Sequence, residues 1–224
     1  MTRHQRTLWI GLSLLTAGTG SGAAQEWPDS PVARLEALAL LQSLNANLLS
    51  HDSATATLEQ WCADHHLAAP AQVIAQRVGD VDKAAGDEQR RLLQVSSGEV
   101  VRYRRVKLMC GKLELSDADN WYVPSRLTPE MNSQLDSSDT PFGKVVRPLH
   151  FQRHTISAEL LWSPLPVGWE LQSRLPASPG RRLAVPASVL EHRAILTLAD
   201  GTPFSEVVET YQSGVLAFIP PLLR

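Results

Sequence analysis

The sequence has only two cysteines, Cys62 and Cys110. They lie 48 residues apart, and the seven histidines form no HExxH pair, so the common zinc signatures are absent and no metal is expected. There is no Gly-rich phosphate loop and no GxSxG elbow, which leaves neither a nucleotide cradle nor a singled-out serine nucleophile. Excess charge of one sign is missing as well. Twenty-one basic and 23 acidic residues give a net charge of −2. Nucleic-acid binders usually carry a strongly basic face, so that class is disfavoured. Tandem repeats and low-complexity tracts are absent. At 43% hydrophobic residues, 224 residues can bury one substantial core.

Long apolar runs are short in supply too. The longest, TLWIGLSLLTAG, follows the basic MTRHQR and precedes small residues ending at Gly22-Ala23-Ala24. This order predicts an export signal over residues 1–24 and a mature domain over 25–224. The run is short of the about 20 apolar residues that span a bilayer, and no second candidate follows. Cleavage would remove Arg3 and Arg6 and leave a net charge of −4. The expected location is the periplasm or the exterior, with no membrane span after cleavage. There the two cysteines can pair; otherwise they are buried thiols, and spacing leaves both open.

Periodicity divides the chain. Ser30-Pro31 suits a helix start, and Leu35, Leu38, Leu41, Leu44 and Leu48 recur at steps of three and four. Asp52 or Ser53 can cap a second helix carrying Leu58, Trp61 and Cys62. A short helix is expected after Pro70 from Val73, Ile74 and Val78. Residues 79–91 suggest a loop or weak helix. From Glu99 the period becomes two. VVRYRRVKLMC predicts a strand with Arg102, Arg104 and Val106 on one face and Tyr103, Arg105 and Lys107 on the other. Lys112 to Asn120 suggests a turn, WYVPSRL extended chain, and PEMNSQLDS a short helix. HTISAELLW, GWELQSRLPA and two segments around the Asp200-Gly201 hairpin signal predict further strands. Helices first and strands after predict an α+β fold, an antiparallel sheet covered by helices. A monomer is expected.

Several side chains could carry chemistry. Arg105, Arg126, Arg153 and Arg193 sit in or beside strands, where an arginine is either solvated or a fork for a carboxylate. Phe142 in the corner DTPFG is either core or pocket wall; Pro141 restricts that corner and Gly143 frees it. Glu206 and Glu209 in FSEVVETY face opposite sides of a regular strand, so one at most points inward. A carboxyl in an apolar pocket has a raised pKa and can protonate a leaving oxygen. His65 and His66 fit surface or packing positions.

The succession YRRVKLMCG, NWYVPSRLTP, DTPFG and HRAILTLADGTPFSEVVETY resembles the chorismate lyase family over roughly residues 32–216. The early helix pair, with SATATLEQWCADHHL, resembles that family's entrance region. The resemblance implies a chorismate lyase-like sheet with an enclosed ligand cavity under helical flaps. It also implies a cofactor-independent carbon–oxygen lyase that converts chorismate to 4-hydroxybenzoate and pyruvate. By position, Arg105 matches the arginine gripping a ligand carboxylate, and Arg126 one that positions the second charged group. Phe142 stands where the family has the leucine of TPLG, and Glu209 resembles its acid. The Asp-Gly turn lies one residue further from Glu209 than in the family pattern. Such a slip turns a strand residue over unless a bulge restores it. The alternative expectation is a periplasmic, non-catalytic binding module for an aromatic carboxylate.

Overall fold

The computed structural model describes residues 27–79, 81–171, 175 and 180–218. The expected signal segment lies outside the described residues. Helix α1 (Pro31–Ser50) starts where Ser30 accepts a hydrogen bond from the Ala33 amide and Pro31 occupies the first turn. Its buried stripe is Ala33, Ala37, Leu41, Leu44 and Leu48, so two alanines take the face where Leu35 and Leu38 were expected. Helix α2 (Ala54–Asp64) is capped by Ser53, which accepts from the Ala56 amide. Strand β1 (Val73–Arg77) replaces the expected short helix. Its burial alternates at Val73 and Ala75, and it lies along the next strand with Val73 opposite Cys110. The β-branched pair Val73-Ile74 suits that edge better than a lone turn of helix.

The short helix α3 (Asp87–Leu92) lies in the 79–101 segment. Strands β2 (Arg102–Cys110) and β3 (Leu113–Tyr122) then form a hairpin through Gly111, whose φ of +57° favours glycine. The polar stretch expected as a turn is thus strand. Its acids are cross-strand partners of β2 donors: the bases Arg105 and Lys107 pair with Asp117 and Glu114, and the Tyr103 hydroxyl donates to Asp119. Helices α4 (Pro129–Ser137) and α5 (Phe142–Val145) follow. Strand β4 (Gln152–Leu160) precedes the hairpin of β5 (Ser188–Thr197) and β6 (Pro203–Gln212), which turns at Gly201. GWELQSRLPA forms no strand among its described residues; Trp169–Leu171 is a short 3-10 turn.

The six strands form one antiparallel sheet in the order β1-β2-β3-β6-β5-β4. The α+β architecture expected from the sequence is present. Helices α1 and α2 pack on one face over Val106, Leu108, Ala118, Leu190 and Tyr211. Helices α4 and α5 continue that layer over Tyr122, Phe204 and Val207. On the opposite face, Leu93 and its segment cover Trp121 and Val123. A disulfide joins Cys62 of α2 to Cys110 of β2, which pins the helical layer to the sheet.

A candidate carboxylate pocket beneath the helical layer

Strand alternation decides which side chains face the helices. On β2, Arg104, Val106, Leu108 and Cys110 are buried and the residues between them are only partly so. Register carries this face across the sheet: Arg104 opposes Asn120, and Asn120 opposes Val207. Val106 likewise opposes Ala118, which opposes Glu209. On the far side, Arg153 of β4 opposes Leu196 of β5. These residues floor a cavity of about 40 Å³. Its roof is the start of α2 (Ser53 to Thr55) and the Phe142-Gly143 corner of α5. A Cβ on Gly143 would come within 3.3 Å of both the Ser53 and Thr55 hydroxyl oxygens, so the corner and α2 are close-packed.

Two arginines enter from opposite walls. Arg104 is 7% exposed. It donates one hydrogen bond, from Nη2 to the Thr140 carbonyl at 3.3 Å. Its Nε and Nη1 have no hydrogen-bond partner among the described residues. Burial, aided by the nearby Arg77 charge, pulls its pKa below the usual arginine value. Arg153 is satisfied quite differently. Its Nη2 donates to Glu209 Oε2 at 2.6 Å, with both side chains buried. Burial opposes the Arg153 charge, but Glu209 more than offsets it, and the pKa lies above the usual value. Tyr211 also donates to Glu209, at 3.2 Å, and the Asp52 carboxylate accepts from the Arg153 backbone amide at 3.0 Å.

His192, opposite Glu209 in register, is fully buried behind the pocket. Its Nε2 lies 2.7 Å from Asn45 Oδ1, and its ring meets Tyr211 edge-on. Burial is the main cause that pushes its pKa down to about 4; Arg153 adds to this and Glu209 opposes it. The unfolded chain therefore takes up a proton first, near the ordinary value of about 6.5. Stability from this group is complete above that pH and is lost as the pH falls toward 4. Between pH 7.5 and pH 5 the expected loss is about 2 kcal/mol. Urea unfolding across that range should show it, and His192→Gln should flatten it.

The sequence candidates separate in space. Phe142 and Glu209 line the cavity. Glu209 reaches it past a bulge: β6 pairs with β3 in unbroken register from Ser205 to Tyr211, but against β5 the register shifts between Leu196 and Thr197, leaving Phe204 as an extra residue between the Asp-Gly turn and Glu209. Glu206 lies on the other face, paired with Arg193 at 2.7 Å. Arg105 is also on that other face, in a two-pronged bond with Asp117. Arg126 holds the 79–101 segment, donating to the Leu93 and Pro203 carbonyls and to Glu99. Arg104, which is not among the sequence candidates, lines the cavity too, and its signal is present in the sequence: it shares the period-two face of Val106, Leu108 and Cys110. Arg153, one of the four arginines weighed from the sequence, is the second that reaches the cavity.

Fold and site together define an α+β domain with an arginine-walled cavity beneath its helices. The chain belongs to the same family as the uncharacterized protein y4mC of Sinorhizobium fredii (strain NBRC 101917 / NGR234). The two are 53% identical over 200 residues, covering 89% of this chain and 84% of y4mC. No protein-family model matches. Among solved structures, the effector domain of PhnF from Mycobacterium smegmatis is similar over 72% of this chain and 88% of its own, at 12% identity and a TM-score of 0.46. The ligand-binding domain of a GntR-family regulator from Bordetella bronchiseptica is similar over 62% and 82%, at 19% identity and a TM-score of 0.39. Among the described residues, no helix is long and apolar enough to cross a membrane.

Proposed function

We propose that the domain binds a small aromatic carboxylate, with Arg104 as its anchor. The observation that carries this reading is the buried Arg104 guanidinium, with two nitrogens unpartnered among the described residues, on a residue that lines the cavity. A buried cation without a partner is costly, and a carboxylate is the planar partner that its fork fits. Phe142 and Phe151 supply apolar walls against which a ring can pack. Pockets for organic ligands are usually about 300–1,000 Å³, so entry requires the α2–α5 roof to lift. An extracytoplasmic location is part of this reading. It is supported by the N-terminal export pattern and by the disulfide, a bond that persists in oxidising compartments.

A second reading, chorismate lyase activity, is favoured by one specific observation: Glu209 lines the same cavity. In that reaction Glu209 would protonate the ether oxygen as its bond to the ring carbon breaks, and the enolpyruvate that leaves would tautomerise to pyruvate. Loss of a ring proton would then restore aromaticity. The carboxylate grip assigned by resemblance to Arg105 would fall to its neighbour Arg104. Against turnover stands the bond between Glu209 and Arg153, which must break before Glu209 can deliver a proton. Calorimetry with benzoate and 4-hydroxybenzoate, paired with chromatography of a chorismate incubation, separates the readings. Saturable binding with chorismate consumed only at its background rate is expected. Equimolar 4-hydroxybenzoate and pyruvate above that rate would replace the binding module with the lyase. Neither binding nor products would sink both.

A further inference from the structure

The cavity holds two guanidinium groups, yet they are not equivalent. Arg104, on β2, has nitrogens without partners among the described residues. Arg153, on β4, is engaged by a carboxylate from β6, at 2.6 Å and with both side chains more than nine-tenths buried; its buried Nε lacks a partner among the described residues. The Glu209 carboxylate stands where a ligand's second carboxylate would have to stand to reach Arg153. Tyr211 and the strand register hold it there, because Tyr211 donates to the same oxygen that receives Arg153. A ligand carrying one negative charge meets Arg104 and leaves the pair intact. A dianion brings its second charge against Glu209, whose side chain is more than nine-tenths buried, where repulsion between like charges is weakly screened.

We propose that Glu209 is the charge-selecting residue of the pocket: by occupying Arg153 it restricts the site to monoanionic ligands. This rests on the reading of the cavity as a carboxylate site, and it adds a ligand class. Aromatic monocarboxylates are accepted; dicarboxylates, and chorismate with its two carboxylates, are disfavoured while the pair is closed. The same bond that keeps Glu209 from acting as an acid thus acts as a filter.

The test is calorimetric titration of benzoate and isophthalate into the parent, Glu209→Gln and the double variant Arg153→Gln/Glu209→Gln at neutral pH. The parent should bind benzoate at least about tenfold more tightly than isophthalate. Glu209→Gln frees the Arg153 charge and should tighten isophthalate at least about tenfold, reversing the preference. The double variant replaces the ion pair with two neutral amides, the one at position 153 shorter than the arginine. It should bind benzoate as the parent does and gain nothing for isophthalate. An unchanged benzoate-to-isophthalate ratio in Glu209→Gln overturns the proposal. So does loss of benzoate binding in the folded double variant, because Arg153 would then itself be the anchor. Parent affinity for benzoate tests the carboxylate reading; the isophthalate gain tests the filter, and each can fail alone.

Discussion

Arg104→Met is expected to melt above the parent and to lose at least about 100-fold in affinity for benzoate. Both effects have one origin. The Arg104 charge is buried, opposed by the neighbouring Arg77, and satisfied at only one nitrogen. Removing a buried ion that lacks a full partner, and filling its volume with an apolar chain, stabilises by about 1–3 kcal/mol. For a domain of this size that is a rise of several degrees. The Thr140 carbonyl loses its donor, which takes back part of the gain. The binding loss follows from two charge-assisted hydrogen bonds at about 1.5–3 kcal/mol each. Arg104→Lys keeps the charge without the planar fork and should fall between parent and methionine variant. A variant that melts lower than the parent would mean that Arg104 is a structural residue. Calorimetric melting and titration on one preparation decide this.

Opening the Cys62–Cys110 bond is expected to have the largest effect on stability. The disulfide closes a loop of 48 residues. In the chain-entropy account, this constraint on the unfolded state is worth about 4 kcal/mol. Reductant should therefore lower the urea midpoint of the parent and leave Cys62→Ala/Cys110→Ala unmoved. Identical midpoints for the oxidised parent and the double variant would show that the bond contributes nothing. The site should respond too. The bond ties α2, whose first turn roofs the cavity, to the strand that carries Arg104. Loosening that tie should speed ligand release, which a stopped-flow displacement experiment reads directly.

Much of the architecture is legible in the sequence because period and capping are local. Ser30-Pro31 and the leucine steps mark α1, PEMNSQLDS marks α4, and Asp200-Gly201 marks the β5–β6 turn. The failures share a cause: in each, a non-local partner overrode a local pattern. Val73–Arg77 is strand because β2 offers an edge, and the polar acids of β3 are strand because β2 offers bases. At the site, period two in YRRVKLMC already separates Arg104 from Arg105. Choosing Arg105 follows the resemblance; the apolar face of Val106 and Leu108 indicates its neighbour. The Arg153–Glu209 bond joins residues 56 apart, on strands with β5 between them. Only the fold reveals that the arginine neutralises the acid.

Arg104 and Arg153 stand on strands separated by three others. At about 4.8 Å per strand, the sheet between them spans roughly 19 Å before twist brings the two side chains together. Adjacent strands rotate by about 20–25°, so the two arginines are held by the cumulative twist of five strands. The gap between the walls behaves as the opening of a calliper whose arms are β2 and β4. No single residue sets it; the curvature of the whole sheet does. A ligand touching both walls would work as a strut, resisting the untwisting of the sheet and transmitting its own length to β2 and β4.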